Sequence, residues 1–309
     1  MATERRDGLG RRELLTAAVA TASVSLVRAQ APAPATPAQT TLADVPRGEG
    51  TTITVERRDD IVLIGIDRQA KHNRLDSVTR RRLGEALYAY EHDPSLRAAV
   101  LFGHGERFTR GIDVDEAQVS LLATPGAAPS APTIDILGKA TPPVGKPVIC
   151  VAHGDTWNLG HEIYLACDIR IAAANTDFGQ DENAHGRFPG GGATVRFVRE
   201  AGWGNAMRYM LTGDHWTAEE SQRMGVTQVI APTPAAALEA GIAMARKVAA
   251  VAPLSTRATL TSARHVTTPV EADALARTGP TYVALYETED FAEGRRAEAE
   301  GRPPKFRGR

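Results

Sequence analysis

One stretch, Lys146 to Gly192 (KPVICVAHGDTWNLGHEIYLACDIRIAAANTDFGQDENAHGRFPGGG), limits what this chain can fold into more than any other. A proline precedes the apolar run Val148 to Ala152 and a polar turn, His153 to Asp155, follows it, which reads as a short buried strand. From Gly160 the spacing predicts a helix carrying Glu162 near its start. A second apolar run, Ile169 to Ala173, predicts another strand. The polar loop after it holds Asp181, Glu182 and His185 and closes on Gly190, Gly191 and Gly192. Two carboxylates from different elements can therefore converge.

The flanks fit the same architecture. Thr52 to Val55 and Ile61 to Ile66 are β-branched runs joined by a charged turn, the pattern of a hairpin. Asp76 or Ser77 can cap a helix whose inner face carries Leu83, Ala86, Leu87 and Tyr90 and which ends at Asp93-Pro94. Ala98 to Phe102 is the next buried strand. Strand, helix, strand in this order implies parallel pairing through a right-handed crossover, hence an α/β fold. Between Gly105 and Pro143 the periodicity is lost, and Ala123 to Pro132 (ATPGAAPSAP) is low in complexity, a mobile cover or a bland insertion spanning about 118–142. Beyond the glycine cluster, Thr194 to Met210 reads as one helix, Thr217 caps another, and Val226 to Ile230 reads as a last strand. From Pro234 onward apolar residues recur at helical spacing to the C-terminus.

Composition excludes several partners. With 42% hydrophobic and 24% charged residues, 309 residues can bury a sizeable core, and a formal net charge of −1 offers no global field for nucleic acid or an anionic membrane. Cys150 and Cys167 lie in apolar runs, where cysteine behaves as a small hydrophobe. There is no GxGxxG motif or P-loop, and Asp113, Asp115 and Glu116 lack the spacing of a calcium loop, so no metal is expected. At the N-terminus, Arg11-Arg12 precedes an uncharged Ala-rich segment, Leu14 to Val27, and small residues follow at Ala29 and Ala31. That is the pattern of a twin-arginine secretory signal over 1–31, too short to remain as a membrane span. A Pro/Ala linker occupies 32–50.

These motifs resemble the crotonase (enoyl-CoA hydratase/isomerase) superfamily. The matching residues are Lys146-Pro147-Val148-Ile149, Gly154, Gly160, Glu162, Cys167-Asp168, Ala172, Phe178-Gly179, Glu182 and Pro189-Gly190. The likeness extends to Phe108-Thr109-Arg110-Gly111-Ile112-Asp113, Leu211-Thr212-Gly213 and Arg302-Pro303-Pro304-Lys305-Phe306. It implies a crotonase-like (ββα) spiral core over 51–232 and a helical C-terminal region over 233–309 that packs around the core and a homotrimer or hexamer interface.

The resemblance also assigns chemistry. Glu162 and Glu182 match the carboxylates that handle water's proton when water adds to an α,β-unsaturated acyl-CoA thioester, CoA entering as part of the substrate with no separate cofactor. The amides of Ile112, after Gly111, and of Leu159, before Gly160, match the oxyanion donors. The family's glycine block is here Asn158-Leu159-Gly160, and Arg110 stands where a small residue is usual, so the pocket is narrowed and recharged. His161, His185 and Asp181 are candidate hydrogen-bonding neighbours of the glutamates; Arg110, Asp113 and Lys305 are candidate substrate contacts. The alternatives are a C–C bond hydrolase acting on a β-diketone, with His161 or His185 as base, and an exported binding protein without activity. The signal implies a periplasmic or secreted location; the alternative is the cytoplasm, where CoA thioesters are mainly found. If the signal is used, mature protein should begin near Ala29 to Pro32 outside the cytoplasm, and Arg11→Lys with Arg12→Lys should hold the precursor inside. Full-length cytoplasmic protein with its N-terminus intact contradicts this.

Overall fold

The computed structural model describes residues 52–123, 132–139 and 142–309. The signal and linker expected over 1–50 and most of the Ala/Pro segment lie outside the described residues.

β1 (Ile53–Arg58) and β2 (Ile61–Ile66) form the expected hairpin, with Ile53 opposite Ile66 and Arg58 opposite Ile61. Asp59 makes the turn at φ 56°, a conformation that Asp tolerates better than most residues. Asp76 caps α1 (Ser77–His92), its carboxylate accepting from the Thr79 amide at 2.8 Å. The helix buries Leu83, Ala86, Leu87 and Tyr90, and β3 (Ala98–Gly103) then runs parallel to β2. The following stretch, without clear periodicity in sequence, contains α2 (Val114–Ala123). β4 (Val148–Ala152), β5 (Asp155–Trp157), α3 (Leu159–Ala166), β6 (Ile169–Ala173) and β7 (Asp177–Gly179) occupy the central stretch.

After the glycine cluster come α4 (Ala193–Ala201) and α5 (Trp203–Thr212), two helices where the pattern predicts one. Gly202, at φ 77°, breaks the run. β8 (Trp216–Thr217) leads into α6 (Ala218–Arg223), capped by Thr217 as expected. The last strand, β9 (Val229–Ala231), is shorter and later than the Val226 to Ile230 run. The Val226 carbonyl is taken by Arg170 Nε at 2.6 Å, and the Thr227 hydroxyl is shared with Tyr164 and Ser221, so both residues are engaged by side chains instead of the ladder. The chain finishes in α7 (Pro234–Ala249), α8 (Pro253–Tyr286) and α9 (Glu289–Glu300).

The main sheet has the order β1-β2-β3-β4-β6-β9 and is parallel beyond the first hairpin. Helices cover both faces, which is why its central strands are continuous apolar runs. Ile61, Leu63, Val100, Ile149, Val151 and Ile171 pack with α7 on one face; Val62, Ile64, Leu101 and Cys150 pack toward α1 and α3 on the other. A second, three-stranded sheet, β5-β7-β8, is entered twice, from β4 and from β6. Its parallel pair aligns Asp155 with Asp177 and Trp157 with Gly179. The segments leaving β5 and β7 therefore start side by side, and those segments carry Glu162 and Glu182.

Candidate active site

Both glutamates face one cavity of about 140 Å³. Glu162 sits in the first turn of α3 and is buried. Its Oε1 accepts the amides of Gly191 at 2.7 Å and Ala193 at 3.1 Å, so the glycine cluster is folded around this carboxyl. Gly191 has no room for a side chain, because a Cβ there would run into the Glu162 carboxyl. Burial raises the Glu162 pKa to about 6, against the opposing pull of the Ala193 amide, the Lys139 charge and the Gly191 amide. Glu182 opens a 3₁₀ turn, Glu182–His185, three residues beyond β7. Its carboxyl is buried, and Gln180 Nε2 donates to both oxygens, at 2.9 and 3.0 Å. Burial, and after it the charge of Glu162, push the Glu182 pKa well above its ordinary value. Both carboxyls are therefore harder to ionise than a free glutamate, and for partly different reasons.

Two backbone amides complete the wall. The segment after Phe108 runs along β5: the Thr109 amide donates to the Asp155 carbonyl at 3.1 Å and the Trp157 amide to the Thr109 carbonyl at 3.0 Å. This brings Gly111 against the entrance of α3, where a Cβ on residue 111 would lie 3.2 Å from the Leu159 amide nitrogen. Gly111 is at φ 85°, so glycine is required twice over, by conformation and by space. The side chains of Ile112 and Leu159 line the cavity, and among the described residues neither amide donates to a protein acceptor. Gly160 packs directly on Thr109, holding the two segments together. Asn158, where the related pattern has glycine, adopts φ 54° and ψ −117°. Asp181 holds it there: Asn158 Nδ2 donates to Asp181 Oδ1 at 2.7 Å, and the Asp181 amide donates to Asn158 Oδ1 at 3.0 Å. This strained residue aims the Leu159 amide.

The other expected residues divide. Arg110 lines the cavity, pairs with Asp155 at 2.7 Å and lies over the Trp157 ring. Asp113 does not line it; it pairs with Arg68 at 2.8 Å. Lys305 lies at a separate surface cleft, where its amide donates to Glu293. His185 reaches Asp181 at 3.2 Å and is also absent from the cavity wall. Burial would raise the Asp181 carboxyl, but hydrogen bonds from His185 and His215 outweigh it and hold the carboxyl below its usual range.

His161 is absent from the cavity wall and packs into a box of Phe178, Phe197 and Trp216, where burial lowers its pKa to about 4. Its Nδ1 donates to Gln180 Oε1 at 2.6 Å, the same amide whose nitrogen holds Glu182. Gln180, unmarked in sequence, is thus the link between the two. Also unanticipated on the wall are Arg74, Arg80, Lys139, Arg187 and Tyr282. Nothing in their spacing announces them, because they come from four separate parts of the chain. Among the described residues no cluster of His, Cys, Asp or Glu could hold a metal ion, and no helix is long and apolar enough to cross a membrane.

The sequence profile of the enoyl-CoA hydratase/isomerase family matches residues 56–309. The chain belongs to that family. It is 32% identical to the enoyl-CoA hydratase EchA19 of Mycobacterium tuberculosis over 84% of this chain and 98% of that protein. Among solved structures, the carnitinyl-CoA hydratase of Mycobacterium avium superposes with a TM-score of 0.76 at 29% identity, covering 84% of this chain and 99% of that one. The fold is thus the crotonase fold, as the resemblance implied.

The shifted carboxyls make a stability prediction. Each pKa lies above the unfolded value of 4.5, so each carboxyl's stabilising contribution is present below that value and is lost as pH rises through the folded value, about 6 for Glu162 and well above 4.5 for Glu182. For Glu162 the loss amounts to about 2 kcal/mol at alkaline pH. Glu162→Gln should therefore raise Tm relative to the parent at pH 8 and change it little at pH 4. A Tm difference independent of pH, read by calorimetry, contradicts this.

Proposed function

We propose that the enzyme adds water to an α,β-unsaturated acyl-CoA thioester, with Glu162 as general base and Glu182 as general acid. The observation that carries this reading is the convergence, in one cavity, of two buried carboxyls with unequal pKa values and two unengaged amides. The amides of Ile112 and Leu159 form the oxyanion hole for the thioester oxygen, and the latter gains from its place at the start of α3. Water's oxygen bonds to the β-carbon while its proton passes to ionised Glu162. The electron pair of the C=C bond moves through the α-carbon toward the thioester oxygen, where the two amides stabilise the enolate. The enolate then collapses and its α-carbon takes the proton of Glu182. The pair returns to its starting state when the proton on Glu162 is returned to Glu182 or exchanged with solvent. CoA is part of the substrate, and this chemistry calls for no further cofactor.

Gln180 fixes the Glu182 carboxyl and His161 fixes Gln180, so His161 acts two hydrogen bonds from the reaction. The C–C hydrolase reading has less support, since neither His161 nor His185 lines the cavity. We further propose export through the Arg11-Arg12 signal and assembly into a homotrimer or hexamer, for which exposed Val251, Leu254 and Val270 on and before α8 supply apolar surface. Turnover of crotonyl-CoA tests the catalytic reading. Glu162→Gln and Glu182→Gln should each lower kcat by ~10² or more, and the double variant should lose much less than the product of the two, because both act on one water. Activity should rise with pH through about 6, as Glu162 ionises, and fall at higher pH as Glu182 loses its proton. Turnover near the parent level in either single variant removes that residue from the mechanism.

A further inference from the structure

The cavity around the two glutamates is lined by five basic side chains: Arg74, Arg80, Arg110, Lys139 and Arg187. The protein itself answers only part of that charge. Arg110 is committed to Asp155 and Lys139 Nζ donates to the Gly190 carbonyl at 2.5 Å. Glu162 is the neighbour of Lys139 and already accepts two amides, while the buried Glu182 carboxyl is held by the Gln180 amide. Among the described residues, Arg74, Arg80 and Arg187 pair with no carboxylate. Arg187 is only 8% exposed, and its Nε is buried without a hydrogen-bond partner. A buried guanidinium with an unmade hydrogen bond is unfavourable unless a ligand supplies the acceptor.

Arg187 belongs to the same turn as Glu182, its amide donating to the Glu182 carbonyl at 2.8 Å. Its side chain lines the same cavity as the two glutamates. We propose that the site is built for an acyl group that carries its own carboxylate, a CoA monothioester of an unsaturated dicarboxylic acid, with that carboxylate held by Arg187 and Arg74. The planar fork of an arginine matches a carboxylate in two parallel hydrogen bonds. The phosphates of CoA do not fit the same role, because they sit at the far end of the pantetheine arm. A thioester whose β-carbon lies on the glutamates places its acyl chain, not its phosphates, in a cavity of about 140 Å³. This substrate class rests on the hydratase reading above.

Calorimetry with glutaryl-CoA and valeryl-CoA tests it, since the two share chain length and the whole of CoA, differ in the terminal carboxylate, and cannot be hydrated. Glutaryl-CoA should bind ~10-fold or more tightly, with an advantage that shrinks as salt is raised. Arg187→Met should remove most of that ratio, Arg187→Lys should keep part of it, and Arg74→Gln should reduce it independently. Equal binding of the two by the parent enzyme overturns the inference, as does a ratio unchanged in both Arg187→Met and Arg74→Gln. Crotonyl-CoA turnover is scored separately. Hydration without a carboxylate preference overturns this inference and leaves the hydratase reading standing. A carboxylate preference without hydration of any enoyl thioester supports the anion pocket and overturns the hydratase reading.

Discussion

The candidate active site depends on the short parallel pairing of β5 with β7. These strands have three residues each, yet their register, Trp157 opposite Gly179, fixes where α3 and the Glu182 turn begin. The Asn158 amide donates to the Gly179 carbonyl at 2.8 Å immediately beyond that pair, and the Asn158–Asp181 hydrogen bonds extend it by one more rung. A one-residue slip would shift the segment after one strand against the segment after the other. Glu162 and the Leu159 amide would then no longer meet Glu182. The large parallel sheet supplies the base from which β5 and β7 depart, but the small sheet sets how the two buried carboxyls approach each other.

That arrangement is held against an electrostatic cost. Two carboxyls share a buried cavity, and each is made harder to ionise by its surroundings. Glu162 is given two amides and a nearby lysine; Glu182 is given an amide group from Gln180 and the repulsion of Glu162. The environments differ in kind, so two identical side chains are held in different ways, the arrangement the proposed acid and base roles call for. His161 contributes to this only by position. A neutral imidazole, boxed by Phe178, Phe197 and Trp216, locks the Gln180 amide in the orientation that donates to Glu182.

Much of the fold was legible in the sequence. The β1–β2 hairpin, α1 with its Asp76 cap, and the strands β3, β4 and β6 carry apolar runs or periodicities long enough to be distinctive. β5 and β7 are too short to show a period, and the break at Gly202 is a single glycine inside an otherwise helical pattern. At the site, Glu162, Glu182, Ile112 and Leu159 were legible through family motifs, and all four face the cavity. Asp113 and Lys305 occupy motif positions too, but Asp113 is taken by Arg68 and Lys305 lies at another cleft. Gln180 and Arg187 are ordinary loop residues in one dimension. Their importance arises from contacts across the fold, with His161 and Glu182 for the first and with the cavity for the second.

The central claim is that the two cavity carboxyls hold different protonation states near neutral pH. Carbon-13 NMR of protein labelled at the glutamate carboxyl carbon, with Glu162→Gln and Glu182→Gln to assign the two signals, observes this directly. The account predicts that Glu162 titrates at about 6 and that Glu182 is still protonated where Glu162 is already ionised. Two signals that titrate together, near the ordinary glutamate value of 4.5, would contradict it.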